Sequence, residues 1–444
     1  MAKILVAGLG QSGATAAYRL ALSGHDVTVF EAQSRTEVGY PWRDDVRFDV
    51  FERSGVPAPE QEGAMVQKGS WRFVSPDGKN GLNIPPLAPM EEVSVARRAL
   101  SAHFAKIIDR AGGKVIFDAK VDRLIVENDR VAGLVVSGEE HRGDLVVDAT
   151  GMYSKLREEV PNKFLVEKRP EDSDRLDVYR AFFKRREEAE TPVPACTLHL
   201  KHLGGAGVSW CNLSQDGTVD VLIGRVGNLS DEELERSLAD LKKNHPILTD
   251  ELILGKRVKV CVRYPLAVPV ADGYIALGDS AYMTMPMMGS GIEAGMKAAK
   301  LFADFADENK ITDFTAKNMW PFWVKFEKGD GKVFALVDVV KRWALFVNPK
   351  DVDWLFSCGA ITGDDLDLIA STDNSGKKIP VFKMIGKVFV LLKRPGLVAR
   401  ALGAVLRGVK AMTIAGKVPK KYDLKKIDKW QRKLKRAVRK ADGK

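Results

Sequence analysis

The 444-residue sequence predicts an α/β fold, on three observations. Residues 4–13 read as a buried strand running straight into Gly8-x-Gly10-x-x-Gly13, followed by an alanine-rich helix from Ala14 to Leu22 and a second strand, Asp26–Phe30. From Cys196 to Val226 the pattern changes to the alternation and glycine turns of antiparallel strands. A strand, a glycine-containing loop and a helix return between Tyr274 and Asp307, and the chain after 312 reads mainly as helix. The expected architecture is a Rossmann-like nucleotide-binding domain, discontinuous in sequence, with an inserted antiparallel β-sheet domain and a helical C-terminal region. The expected segments are 1–160, 161–265, 266–310, 311–376 and 377–444.

The first unit carries the strongest signal. Gly8 allows the tight turn, Gly10 lets the backbone approach a pyrophosphate, and Gly13 lets helix and strand pack closely, so that the helix N-terminus faces the phosphates. Glu31 lies 21 residues after Gly10, where a carboxylate accepts from a ribose hydroxyl. An acid here argues against a ribose 2′-phosphate. The competing reading is a glycine turn in an unrelated βαβ unit; the strand before, the helix after and the acid beyond favour a dinucleotide.

The remaining elements follow in order. Residues 39–45 read as a polar loop, 65–84 as short strands around a Pro76-Asp-Gly78 turn, and Val95–Arg110 as a helix stopped by Gly112-Gly113. Strands are expected at 114–117, 121–126, 131–136 and 145–148, and a connector with a helix at 155–190. Ser230 reads as an N-cap with Glu233 as its capping-box partner, a strand follows at 257–263, and another at 274–279.

Composition is that of a globular protein, with 45% hydrophobic and 29% charged residues. The four cysteines form no CxxC or zinc spacing and read as reduced thiols. The N-terminus is already a strand, leaving no room for a signal peptide, and no apolar run reaches a membrane span. The net charge of +10 hides an asymmetry: residues 377–444 carry 22 basic against 3 acidic residues, and the rest carry 47 against 56. Leu397, Leu402, Val405, Leu406 and Val409 recur at helical spacing, as do Leu424, Ile427, Trp430, Leu434 and Val438, with lysines and arginines between. Such a tail fits an anionic membrane surface; a helical cap on the body is the alternative, and nucleic acid is disfavoured. The expected location is the cytoplasm, peripheral on the inner face of the membrane.

Three later segments fit one nucleotide cofactor. Arg97, near a helix start, can pair with a diphosphate, or is a surface arginine beside Arg98. Asp148-Ala-Thr-Gly151-Met-Tyr-Ser154 brings small residues and bare backbone to a strand end. Gly278-Asp279, Pro286 and Gly289-Ser-Gly291 place an Asp beyond a strand and glycines at a helix start, whose positive end stabilises negative charge.

These residues, with Gly8, Gly10, Gly13, Glu31 and Ile292, resemble the FAD-dependent oxidoreductases of the p-hydroxybenzoate-hydroxylase structural class, and within it the geranylgeranyl reductase family. The resemblance covers roughly residues 1–310. It implies bound FAD, a β-sheet substrate domain over the flavin, and hydride transfer to isoprenoid double bonds. Two departures touch the substrate side. Where that family often shows Tyr-x-Trp-x-Phe-Pro, this chain has Val208-Ser-Trp210-Cys-Asn-Leu213, and where archaeal members carry a cysteine four residues after a proline, the position counted from Pro41 is Asp45.

An isolated alkene accepts hydride poorly, so the site must be dry and supply a proton. Asp45 or Asp44 is the candidate acid if burial raises its pKa; a solvated loop carboxylate is the ordinary alternative, with water as the donor. Trp210 lines the cavity or fills the sheet core. Met283, Met285, Met287 and Met288 suit a tunnel for an apolar chain or ordinary packing. His199 and His202, three apart in an expected strand, would face opposite ways, disfavouring a shared metal site. The expected substrate is a prenyl lipid, prenyl quinone or other apolar molecule, with electrons from a ferredoxin or NAD(P)H. The rival readings are a flavin monooxygenase and a non-catalytic membrane redox sensor.

Overall fold

The computed structural model describes residues 1–84, 88–287, 289–363 and 393–439. The chain begins β1 (Lys3–Ala7), α1 (Gln11–Leu22), β2 (Asp26–Phe30), β3 (Arg43–Arg47), α2 (Val50–Arg53), β4 (Met65–Gln67), β5 (Trp71–Val74), β6 (Gly81–Ile84), β7 (Glu92–Ala96) and α3 (Arg97–Arg110). It continues β8 (Lys114–Ile116), β9 (Val121–Glu127), β10 (Arg130–Val136), β11 (Glu139–Arg142), β12 (Leu145–Asp148), α4 (Lys155–Glu159), β13 (Arg175–Arg185), β14 (Cys196–Leu200), β15 (Gly207–Leu213) and β16 (Val219–Val226). Then come α5 (Asp231–Asn244), β17 (Leu248–Cys261), β18 (Val270–Ala271), β19 (Tyr274–Ala276), α6 (Ile292–Glu308), α7 (Ala316–Phe326), α8 (Lys332–Phe346), α9 (Pro349–Ser357), α10 (Pro395–Ala415) and α11 (Leu424–Arg439).

The nucleotide-type sheet has the order β18-β19-β12-β1-β2-β8, parallel except for the β18–β19 pair. Its central strand β1 is buried from Ile4 to Ala7, as expected for a parallel strand covered on both faces. α1 packs against it through Gly13, Ala14, Ala16 and Ala17. The antiparallel trio β11-β10-β9 is a separate sheet, as is β3-β7-β4.

The inserted sheet has seven strands in the order β17-β13-β16-β15-β14-β5-β6. It is antiparallel except for β14 against β5. Residues 71–84 thus hydrogen-bond to the sheet whose other strands come from 175–261. One face carries Ala181, Phe183, Val219, Val221 and Ile223 and packs with Leu241 of α5. Ser230 caps α5, its hydroxyl accepting from Glu233 N at 3.2 Å. With side chains alternating, the other face presents Leu198, Trp210, Leu222 and Arg180 in one cross-strand row, continued by Phe73 and Lys256 at its ends.

Several local expectations change. Residues 43–47 form a strand, because Asp44 and Asp45 pair with Val95 and Ser94 of β7 and are not left in a loop. The helix starts at Arg97, since Val95 is taken by that pairing. The supposed connector at 155–190 contains β13, an eleven-residue strand bonded on both sides, and the strand expected at 257–263 begins at Leu248.

After residue 312 the described chain is helical. α10 lies along α8, where a Cβ on Gly408 would come within 3.2 Å of the Leu336 carbonyl. α11 buries Ile427, Trp430, Leu434 and Val438, and Trp430 Nε1 donates to the Ile414 carbonyl at 2.8 Å. For α11 the helical-cap alternative is the one observed, because its apolar face is used inside the protein. Residues 377–392 and 440–444 of the basic tail lie outside the described residues. No helix among the described residues is long and apolar enough to cross a membrane.

Candidate active site

A continuous cavity of about 1470 Å³ runs from the glycine turn after β1 to the open face of the seven-stranded sheet. On the turn side the geometry is set by backbone. Gly8 has φ +98°, and a Cβ there would meet the Ala149 carbonyl at 2.6 Å. At Gly13 it would meet the Gly8 carbonyl at 2.4 Å and Ala149 Cβ at 2.7 Å. Gly10 differs: its nearest neighbour is the Ala149 carbonyl at 4.0 Å, leaving open space beside the backbone. Glu31 is buried and both its oxygens accept from main-chain amides, of Leu9 and Gln33, each at 2.9 Å. The carboxylate therefore ties the glycine turn to the end of β2, and second lone pairs remain on both oxygens.

Arg97 opens α3 in the cavity wall, and Arg98 beside it pairs with Glu37. Arg97 donates to Asp44 Oδ2 and to Gln11 Oε1, each at 2.6 Å, and its Nε is buried without a partner. Gly151 lines the cavity with φ +92° and open space around it, its amide donating to Ser280 Oγ at 2.9 Å. Gly278, Asp279, Pro286, Gly289, Gly291 and Ile292 line the same wall. A Cβ on Gly278 would lie 2.3 Å from Ser12 Oγ, so this turn is pressed onto the start of α1. Asp279 is exposed to the cavity and accepts from Thr284 Oγ1 at 2.8 Å. α6 starts after Gly291 with no side-chain cap.

Two buried residues hold these turns, of which the sequence singled out only the first. Asp148 is fully buried and accepts from Thr150 Oγ1 at 2.7 Å, Tyr274 Oη at 2.6 Å, Ser280 Oγ at 3.1 Å and Ser154 Oγ. Arg157, 1% exposed, donates to the carbonyls of Met152 and Ser280 and to Tyr282 Oη. The Asp-Ala-Thr-Gly run pointed to the first; no local pattern marks the second.

On the sheet side, Asp44 and Asp45 both line the cavity, and their surroundings push them apart. Burial raises the Asp45 carboxyl above its ordinary range, only partly offset by Lys68, 3.9 Å away, and by the Ser94 hydroxyl that donates to it. Burial also penalises Asp44, but Arg97 and Arg180 outweigh it and hold that carboxyl below its ordinary value. Neighbouring carboxyls with opposite shifts are the usual arrangement of an acid beside a permanent anion. Asp45 thus stands in a strand and not in a loop, with its side chain partly exposed to the cavity.

Arg180 was not singled out by sequence. It sits mid-strand on the apolar face, donating to Asp44 Oδ1 at 2.7 Å, Asp220 Oδ2 at 2.8 Å and the Arg43 carbonyl at 2.9 Å. Burial favours its neutral form, and the two carboxylates more than reverse this. Its guanidinium lies 5.0 Å from the Trp42 ring and 5.7 Å from Trp210. Trp210 lines the cavity edge-on to Trp71 at 5.6 Å, with its indole N–H buried and unpartnered. Met283 and Met285 are core residues and Met287 lines the cavity; Met288 lies outside the described residues.

His199 and His202 do not face opposite ways. The chain leaves β14 at Leu200 and Lys201 turns left-handed, φ +47°, bringing the two rings to 5.1 Å. His199 Nε2 meets His245 Nε2 at 2.9 Å, and His202 bonds Ser209 and Asp240. Among the described residues no His, Cys, Asp or Glu group has metal-site geometry. The four cysteines are free.

No family model matches the chain. It is similar to the digeranylgeranylglycerophospholipid reductase of Sulfolobus acidocaldarius, 23% identical over 427 residues, covering 92% of this chain and 91% of the relative. The enzyme of that name from Methanosarcina mazei is 27% identical over 389 residues, covering 83% of this chain and 87% of its own. Among solved structures, a geranylgeranyl bacteriochlorophyll reductase-like protein of Thermoplasma acidophilum superposes with a TM-score of 0.73 at 19% identity, covering 91% and 99%. The chain is thus similar, over most of its length, to proteins named as geranylgeranyl-lipid reductases. A flavin-dependent brominase superposes with a TM-score of 0.61 at 17% identity, covering 88% and 99%. The fold is thus shared with a protein named as a flavin-dependent brominase.

Proposed function

We propose that the protein is an FAD-dependent reductase of carbon–carbon double bonds in a prenyl lipid or prenyl quinone, acting at a membrane surface. The observation that carries this reading is the continuous cavity: a glycine-turn cleft at one end opens directly onto a sheet face where Phe73, Leu198, Trp210 and Leu222 line it.

The cleft suits FAD. Gly10 leaves room for a diphosphate, the start of α1 supplies amides, and Arg97 adds a positive charge in the cavity wall. Glu31 would hold the adenosine ribose, Asp279 the ribityl chain, and Gly151, Pro286, Gly289, Gly291 and Ile292 the ring and its surroundings. FAD, when bound and reduced, supplies a hydride for one alkene carbon. Asp45 would supply the proton to the other carbon, since burial favours its protonated form. Asp44, held anionic by Arg97 and Arg180, would keep those two cations compensated near the reacting centre. Trp210, Leu198 and Leu222 would exclude water from the chain. A ferredoxin or a nicotinamide would reduce the flavin. The basic C-terminal region would hold the protein on an anionic bilayer.

The test is anaerobic. The purified protein is checked for an FAD spectrum, reduced with dithionite, and mixed with a prenyl-lipid extract. Reoxidation of the flavin with lipids two hydrogens heavier by mass spectrometry is the expected result. A flavin that stays reduced until oxygen is admitted, and then forms a peroxide adduct, would overturn it in favour of a monooxygenase. Asp45→Asn should lower kcat ~10²-fold with FAD content unchanged.

A further inference from the structure

The apolar stripes that the sequence offers to a membrane part company in the fold. α11 buries its stripe, whereas α10 buries Leu397, Ala404 and Ala411 and leaves Leu402, Val405, Leu406 and Val409 between 40% and 61% exposed. Phe346, which ends α8, is 69% exposed. It belongs to the same end of the helical region: Asp351, five residues on, accepts from Arg400 Nη2 at 3.3 Å and also pairs with Arg394. The outward face of α10 continues to Lys410 and, just past its end, Lys417, both exposed; neither makes an ion pair among the described residues.

The cavity reaches this end of the molecule. Leu200, Lys201, Ala344 and Leu345 line it, and Lys201 Nζ donates to the Leu345 carbonyl at 2.6 Å across its rim. On either side of that bond stand two exposed apolar residues, Leu203 at 38% and Phe346. Burial lowers the pKa of the Lys201 ammonium, whose bond is to a neutral carbonyl, so it can part without stranding a counter-charge.

We propose that the gap between Lys201–Leu203 and Ala344–Phe346 is a doorway for apolar chains, held against an anionic bilayer by the exposed ridge of α10. An apolar ridge bordered by unpaired lysines fits headgroups over acyl chains, whereas the core of a protein interface is depleted of lysine. Docking there would bring the doorway to the hydrocarbon boundary, so a chain would pass from lipid to the sheet face without crossing water. Only the identity of the chain rests on the prenyl-lipid reading; the docking face does not.

The experiment uses the full chain and vesicles of equal parts phosphatidylglycerol and phosphatidylcholine, with pure phosphatidylcholine as control. Co-sedimentation should show binding to the anionic vesicles, and the double variant Leu402→Glu, Leu406→Glu should weaken it at least tenfold. Phe346→Ser, a milder change at an exposed site, should weaken it several-fold if the double variant does not fold. Binding that survives these changes, or no binding by the unaltered protein, overturns the proposal. An environment-sensitive fluorophore on Leu203→Cys or Phe346→Cys should shift to the blue on the anionic vesicles. Binding with no shift at either position overturns the doorway. None of these readouts requires turnover, so a protein that docks in this way but reduces no lipid would count against the proposed reaction alone.

Discussion

On the glycine-turn side of the cavity the backbone sets the shape: Gly8 and Gly13 leave no room for a side chain. On the sheet side the wall is made of side chains, and the arginine in its midst, Arg180, is fixed by Asp44 and Asp220 from two other strands. A backbone-built wall has nothing to trim and fails when anything is added. A side-chain-built wall accepts apolar exchange and fails when one half of a charge pair is removed.

The largest effect should come from breaking the charge on the sheet side. Arg180→Met leaves Asp220, whose side chain is only 5% exposed, without its partner. Urea unfolding should show a loss of about 4 kcal/mol, and adding Asp220→Asn should restore much of it. If the single and double variants are equally unstable, the arginine matters for packing and the comparison fails. On the turn side, Gly13→Ala should destabilise by about 3 kcal/mol and reduce FAD retention, read from the flavin absorbance of the purified protein.

A buried carboxyl sharpens the contrast because it has no partner among the described residues. Glu327 is 1% exposed, between α7 and α8, and neither of its oxygens has a hydrogen bond among the described residues. Burial pushes its carboxyl up to about 8. A group that holds its proton more tightly folded than unfolded stabilises most below its unfolded pKa, and that stability drains away as pH rises through the folded value. Between pH 5 and 8 the protein should therefore lose about 3 kcal/mol relative to Glu327→Gln, measured by denaturant unfolding across that range. Equal slopes for the two proteins would mean that the carboxyl finds water.

The smallest effect tests the tolerance of the side-chain wall. Trp210→Phe removes an indole N–H that bonds to nothing, so stability should change by less than about 1 kcal/mol. A larger loss would show the indole to be part of a rigid core.

The glycine-turn side of the cavity was readable because its determinants are contiguous. Gly8 to Gly13, Asp148 to Gly151 and Gly278 to Ile292 are short runs whose spacing is set by local backbone geometry. Residues 155–190 were misread because charged residues alternate along β13 with apolar ones, and a charged strand interior resembles a connector until its neighbours are known. Arg180 was invisible for the same reason: its partners lie 136 and 40 residues away. Arg157 had no local sign at all.

The sequence by itself determined the α/β class, the glycine turn with its acid, the interrupted order of the units and the presence of amphipathic basic helices, since each follows from short-range periodicity and turn chemistry. Only the tertiary structure decided that the two neighbouring carboxyls shift in opposite directions, because that depends on which arginines the fold brings beside Asp44 and keeps from Asp45. It also decided which amphipathic helix stays exposed: two similar apolar stripes differ only in whether α8 and its neighbours have surface left to cover them.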